Sequence, residues 1–581
     1  MTFRAKPVVK RSHRTGLETR NRRNLYQNLA FGLVVLVAIV ILAIAAGASW
    51  YEQNLAPVAA VNGQSITKDE FNRRFAIENH RLDVAERRLN TEHSAGRLTD
   101  DEWQSQLQFV GQARQQVPQQ TLDRLIDSRI QGTLADQEGI SVTPQQIDAR
   151  ITTEATSPEQ RRAWLIEVAP KVDEGKDAPT AEQKAAAKKT ADQALADLAA
   201  GKKWEDIAKA VSTDSSAPSG GELGWVTAET ALDETFRTAL FKLEKDARTG
   251  VIEGTDGSYR IGRVTDIAAE SVDESYRTQI ADAGIAVEAY DAVVRADLVR
   301  IALEDKIKAQ ALQPGPQRRV AEIYIQAPQA GSEPLPGDGS VKVRHILYSP
   351  NDDPQSASTV AATDPAWKKA EDAARAAYAR VKADPTQFDS IARKESDESG
   401  DDVTGGKLPY FNPAMSAAGQ LDTAFGDAIF KPGLKAGDIL QPVRSAFGWH
   451  VIQIMYFPPD LDAAKKLKAD AEAGTLLTQL AKDFSDGTEA ANGGELGWMA
   501  PLEIEHKLSD AIFNTPVGSL TDPVVIENDG IHLYKVLEAA TRTPEGDQKQ
   551  TLEDQAFANW YEAKKAAFDV RRDVDFSTST G

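Results

Sequence analysis

Hydrophobic and polar positions follow two different periods along this chain, and they sort it into strands and helices. Period-two alternation marks RRAWLIEV (Arg161 to Val168), RRVAEIYI (Arg318 to Ile325) and VKVRHILY (Val341 to Tyr348) as half-buried strands. It also marks SYRIGRV around Arg260, GWHVIQI around His450 and GIHLYKV around His532. Helical spacing runs through QTLDRLIDSRIQGTLADQEGI within Val58 to Ile151, AYDAVVRADLVRIALEDKIKAQAL within Tyr276 to Ala311, and the tail QAFANWYEAKKAAF. Thr67-Lys68-Asp69-Glu70 has the form of a helix-starting capping box. The mixture predicts an α+β protein.

The strands belong to a repeat. WEDIAKAVSTDSSAPSGGELGWV from Trp204, FDSIARKESDESGDDVTGGKLPYF from Phe388 and LTQLAKDFSDGTEAANGGELGWM from Leu477 share one layout. Each has a helix end, a polar Ser/Asp loop, and a glycine pair entering an aromatic strand: Gly220-Gly221, Gly405-Gly406 and Gly493-Gly494. A large apolar residue then opens a helix (Phe236, Phe425, Leu508), and Arg260, His450 and His532 follow at 24, 25 and 24 residues. Repeated spacing of this kind signals duplicated units. The third unit lacks an opening strand after Asp460, whereas RRVAEIYI has no unit of its own. The second unit, 338–459, therefore reads as an insertion into a third made of 318–330 and 460–540; the first spans 157–269. Helical segments at 58–156, 270–317 and 545–572 surround them, Pro328 to Ser340 reads as a linker, and the terminal STSTG as unstructured.

Composition narrows the setting. The 581 residues carry a formal net charge of −20, which disfavours nucleic acid. Residues 1–28 run the other way, with eight Lys or Arg against Glu18. Leu29 to Ala48 then offers 20 residues without a charge, roughly 30 Å of helix and enough to cross a bilayer. A cleaved signal peptide is the competing reading, since Ala46-Gly47-Ala48 resembles a cleavage site; its apolar core is usually only about 7–15 residues. The expectation is a cell-membrane anchor over 29–50, a cytoplasmic N-terminus and an extracytoplasmic remainder. Cysteine is absent, so disulfides, thiolate nucleophiles and Cys-based metal sites are excluded, and the seven His lack close metal-ligand spacing. Neither a Gly-x-Ser-x-Gly elbow nor a phosphate loop is present, which removes the support for a hydrolase.

The second unit resembles parvulin-type peptidyl-prolyl isomerases, through His345-Ile346-Leu347, Ser396-Asp397-Glu398, Gly405-Gly406-Lys407-Leu408 and Gly448-Trp449-His450-Val451-Ile452. VAAVNGQSITKDEF (Val58 to Phe71) and GISVTPQQID (Gly139 to Asp148) resemble the helical module of SurA- and PpiD-type chaperones. The resemblance implies three parvulin-like domains, each a small antiparallel sheet flanked by helices, on that module. It implies a folding factor that turns Xaa-Pro bonds in unfolded or newly exported polypeptides, without metal or cofactor. The alternative is an ATP-independent holdase whose parvulin folds mainly bind peptide.

Site residues follow from the same resemblance. His345 and His450 would be the paired core histidines, and Glu398 stands where relatives have Cys or Asp. Leu408, Leu421 and Phe425 would form the proline pocket, with Met415 an alternative on a loop insertion around Asn412 to Ala418. Ser445 and Phe447 would line the site. Read by themselves, the pocket residues are ordinary core positions. In the first unit Trp164 or Leu165 takes the place of the opening His and Arg260 that of the closing one. In the third, Glu322 faces His532 and Leu508 replaces the Phe; the first unit is expected to be inactive, and the third weak or inactive and kept for peptide binding.

Overall fold

The computed structural model describes residues 56–574 apart from 174–175, 177, 328–338 and 458–460, together with scattered positions between 39 and 51. The basic tail, most of the expected anchor and most of the expected linker lie outside the described residues. Among the described residues no helix is long and apolar enough to cross a membrane.

Contacts divide the chain into two units, Met1–Leu303 with Phe568–Gly581, and Glu304–Ala567. In the first, Pro57–Val61 lies between Gln64–Thr67 and the C-terminal strand Val570–Arg572, all antiparallel. Helices Lys68–Ser94, Asp100–Gln137 and Pro144–Ala155 follow. The first opens on the expected capping box: Glu70 N donates to Thr67 Oγ1 (3.2 Å) and Thr67 N donates to Glu70 Oε2 (2.9 Å). Ile77, Ile151, Ile280 and Tyr290 share its helical core. The first repeat's sheet has the strand order Glu222–Val226, Gln160–Val168, Tyr259–Ala268, Ile252–Glu253.

The second unit holds two sheets of the same layout. One runs Lys407–Phe411, Val341–Tyr348, Trp449–Tyr456, Val443–Arg444; the other runs Glu495–Met499, Gly315–Gln326, Gly530–Arg542, Val524–Ile526. In all three sheets the opening strand is central and pairs antiparallel with the closing strand. The opening strand of the third sheet precedes the second sheet in sequence, and its other strands follow it.

These two sheets are joined by more than chain connection. Met455 and Tyr456, at the end of the second repeat's closing strand, share one core with Ile323, Leu480 and Leu533 of the third. Arg344 is 1% exposed; it donates from Nη1 to Asp483 Oδ1 (2.9 Å) and from Nε to Gln453 Oε1 (2.7 Å). Its guanidinium also sits over the Phe388 ring at 4.5 Å. Lys342 Nζ reaches Asp486 Oδ1 at 3.1 Å, and Lys407 Nζ donates to the Ser485 carbonyl at 2.5 Å. Burial pushes the Lys407 ammonium down to about 8.

Two sequence expectations change here. The insertion around Asn412 to Ala418 is not a loop: Pro413–Ala417 is helical, because Asn412 Oδ1 caps Met415 N (3.0 Å) and Pro413 suits a first helical position. The tail 545–572, grouped by sequence with the N-terminal helices, is divided. Helix Gly546–Lys565 buries Leu552 and Ala556 with Ala500 in the second unit, while Val570–Arg572 returns to the first. Amphipathic spacing shows that a helix has an apolar face, not which core receives it.

Candidate active site

The Ser/Asp loop acts first as a fastener. In the second repeat Leu347 N donates to Ser396 Oγ (3.0 Å), and Asp397 N donates to the Leu347 carbonyl (2.8 Å). Glu167 with Ser212 and Thr213 repeats the arrangement in the first, as Tyr324 with Ser485 and Asp486 does in the third. The glycine pair closes the other side. A Cβ on Gly406, whose φ is +82°, would lie 2.0 Å from the His345 carbonyl oxygen, so only glycine allows that approach. The same contact at Leu165 and Glu322 identifies these as the counterparts of His345.

Held this way, the opening and closing strands bring two imidazoles together. His345 and His450 share a hydrogen bond between their Nδ1 atoms at 3.0 Å, with rings nearly parallel and 5.2 Å apart. Ser445 Oγ is 2.7 Å from His450 Nε2. All three residues are buried. Burial, and for His345 its neighbour His450, holds both imidazoles below their ordinary range, His450 at about 4. The pair is therefore neutral at physiological pH, and a hydrogen-bonded line runs from Ser445 through His450 to His345.

Phe425 meets both rings edge-on, at 5.1 Å from His450 and 6.2 Å from His345. Leu408 and Leu421 are half-buried in the same apolar cluster. Phe447 is 50% exposed; its N–H donates to Ser445 Oγ (3.0 Å), and its carbonyl accepts from Ser349 Oγ (2.8 Å). The structure thus gathers His345, His450, Ser445, Phe425, Leu408 and Leu421, with Phe447 as an exposed rim.

Glu398 stands apart. It is half-buried, burial raises its pKa, and it forms no ion pair with either imidazole. The carboxylate that approaches the pair is Asp401, on the short helix Asp401–Thr404. Asp401 Oδ2 lies 3.7 Å from His345 Nε2, which has no hydrogen-bond partner, and it accepts from Ser396 Oγ. Burial raises the Asp401 carboxyl to about 7 against the opposing Ser396 bond, with Glu398 and Asp402 adding to the rise. Nothing in SDESGDDVTGG distinguished this acid from its solvated neighbours; its burial is a product of the fold.

Comparison with known proteins now fits the geometry. Residues 345–456 match the PPIC-type PPIASE domain family. Residues 154–267 and 461–540 match a second PPIC-type PPIASE domain family, and residues 20–157 match the SurA-like N-terminal domain family. The chain carries parvulin domains and a SurA-like domain. Among relatives, "Chaperone SurA" of Yersinia pestis is 37% identical over 115 residues, covering 20% of this chain and 22% of SurA. "Foldase protein PrsA" of Bacillus subtilis is 36% identical over 114 residues, covering 19% of this chain and 39% of PrsA. Each of these matches thus spans less than half of the relative's length. The crystal structure of PrsA from Bacillus subtilis aligns with 21% identity over 44% of this chain and 93% of that one, at a TM-score of 0.15.

The parvulin repeats differ at the site while agreeing in scaffold. In the first, Arg260 takes the position of His450, paired with Glu167 Oε2 (2.7 Å) and Asp256 Oδ2 (2.6 Å), and Leu165 takes that of His345. In the third, His532 lies between Glu322 Oε1 (2.7 Å from Nδ1) and Asp529 Oδ2 (2.8 Å from Nε2). Burial works against charging this ring, but the two carboxylates outweigh it and raise the His532 pKa. Only the second parvulin repeat has a neutral imidazole pair.

Proposed function

We propose that this protein is a peptidyl-prolyl cis-trans isomerase and folding factor for exported polypeptides, with its chemistry in the second parvulin repeat. The observation that carries this is the buried, neutral His345–His450 pair hydrogen-bonded to Ser445 and roofed by Phe425.

Rotation about Xaa-Pro faces a barrier of about 18–20 kcal/mol set by amide resonance. No covalent bond to substrate is needed. Leu408, Leu421 and Phe425 hold the proline ring, Phe447 shields the amide from water, and the twisted amide is bound better than either planar form. Each tenfold in rate asks for about 1.36 kcal/mol of that preference. The histidines contribute as rigid neutral dipoles: a charged ring beside Phe425 would draw water into the pocket. His345, His450 and Ser445 set the floor, and Asp401, rather than Glu398, supplies the acidic group behind it.

The first and third repeats serve as scaffold and peptide-binding surface, and the helical segments hold unfolded chain. The uncharged run 29–48 behind its basic flank supports anchoring in the cell membrane with residues after Trp50 outside. The deciding assay is isomerisation of a short Xaa-Pro peptide by the whole chain and by its Phe425→Ala and His450→Ala variants. A drop of tenfold or more in kcat/KM is expected for each. Full activity in both removes the assignment; inactivity of the wild type with suppression of client aggregation favours the holdase reading.

A further inference from the structure

A cleft of about 770 Å³ lies between the second and third parvulin sheets. Its wall on the second repeat includes Leu408, Tyr410 and Met415, so it begins at a residue of the proline pocket. Gln326 and Ser485 to Thr488 belong both to this cleft and to a second cavity of about 360 Å³, which contains Glu322, Asp529 and His532. The two form one path. It leads from the pocket of the second repeat to the degenerate site of the third.

We propose that this path binds the continuation of the unfolded polypeptide whose proline occupies the second repeat, and that its far end takes a Lys or Arg side chain of that polypeptide. The inference rests on the proposed isomerase reading and adds to it where the rest of the substrate goes.

Three observations select this occupant. Leu408 belongs both to the apolar cluster around Phe425 and to the lining of this cleft, so the cleft borders the proposed proline site and lies next to a chain held there. Its flank is the edge strand Lys407–Phe411, where Pro409 has no N–H to offer. A strand of another protein adding to that edge would meet an interrupted ladder, whereas an extended chain held by side chains needs none. The far end has charge to spare: Glu322, Glu489 and Asp529 face a single imidazolium, His532. Among the described residues no Lys or Arg lines that far cavity; of the cations in the cleft before it, Lys342 is paired with Asp486 and Arg393 with Asp389, and Lys407 lies on the second repeat's own strand. A basic side chain restores the balance. The third repeat, which has Glu322 with His532 in place of an imidazole pair, would thus serve as a register for substrate.

The test uses the whole chain and fluorescently labelled peptides built on one Xaa-Pro centre. One is a blocked tetrapeptide; the others extend it by eight residues, to either side, carrying two Lys or two Glu. Lys extension on one side should tighten binding at least tenfold over both the tetrapeptide and the matching Glu extension. Glu489→Lys should abolish that gain and favour the Glu peptide. Ala491→Trp, a change at an exposed position of the cleft, should weaken every extended peptide. If no extension binds better than the tetrapeptide, or if both variants leave the Lys preference intact, the groove is refuted. Failure of the wild type to isomerise the tetrapeptide would instead refute the isomerase reading, so the two failures are told apart.

Discussion

Asp401 gives the sharpest quantitative test of the site. It is 3% exposed, and burial lifts its pKa from the ordinary 3.8 to about 7. The sign follows from proton linkage. An unfolded chain releases this proton near pH 3.8, while the folded chain keeps it to about 7. Stability is therefore fully present below the lower value and falls as pH rises through the window. The slope is roughly 1.36 kcal/mol per pH unit, giving on the order of 4 kcal/mol by the upper end. Asp401→Asn keeps the shape and still accepts the Ser396 hydroxyl, but cannot ionise. Its stability relative to wild type should be near zero at pH 4 and rise by a few kcal/mol towards pH 8. Hydrogen exchange of the Val341–Tyr348 amides, read by mass spectrometry and corrected for intrinsic rates, reports this locally. It avoids treating a multi-domain chain as a single two-state unit. The same titration should bend the isomerisation rate of the wild type between pH 6 and 8, since the charge appears 3.7 Å from His345 Nε2, and the bend should vanish in the variant. A stability difference that does not change between pH 5 and 8 would refute the buried-acid argument.

Other outcomes follow from the same structure. Arg344→Met leaves Asp483 buried without its cation and should cost about 3–5 kcal/mol, most of it recovered in Arg344→Met/Asp483→Leu; hydrogen exchange of the Val341–Tyr348 amides decides this. Gly406→Ala and Gly494→Ala each place a Cβ against a strand carbonyl at positive φ and should each cost about 1–3 kcal/mol, but only Gly406→Ala should also slow isomerisation, because only that carbonyl belongs to His345. Burial holds His450 at about 4, so its imidazole signals in nuclear magnetic resonance should stay neutral at pH 5. Its contribution to stability should decline as pH falls from the ordinary 6.5 towards that value; a ring that titrates near 6.5 would contradict the buried pair.

How much of this was legible depends on what each residue's pattern encodes. The strands around His345 and His450 were readable because alternation states which residues face inward, and a glycine pair states where the backbone turns tightly. The pairing of the two histidines followed from their places in that frame. Arg344 and Asp401 were not readable. In VKVRHILY the alternation assigns Arg344 to an outward face, and it does point away from its own sheet's pocket; the third repeat has been packed against that face. Asp401 lies in a polar run whose composition says only that it is solvated. Both are buried by contacts distant in sequence, and local pattern carries no information about those.

Duplication within one chain separates scaffold from chemistry without any alignment. What all three repeats retain must serve the fold: a Ser hydroxyl accepting from the opening strand, a following backbone N–H returned to that strand, and a glycine against its carbonyl. On that reasoning Ser396 and Gly406 fasten the site and are not themselves its chemistry. What differs must be free to differ. Leu165 with Arg260, and Glu322 with His532, preserve the sheet while replacing a neutral pair by a permanent cation or an imidazolium between carboxylates. A strand position that tolerates Leu, Glu or His is not required by packing. The presence of His345, His450 and Ser445 together, at the one repeat where the surroundings keep both rings uncharged, therefore calls for a functional cause, and the apolar surface of Leu408, Leu421 and Phe425 beside them is where we propose it lies.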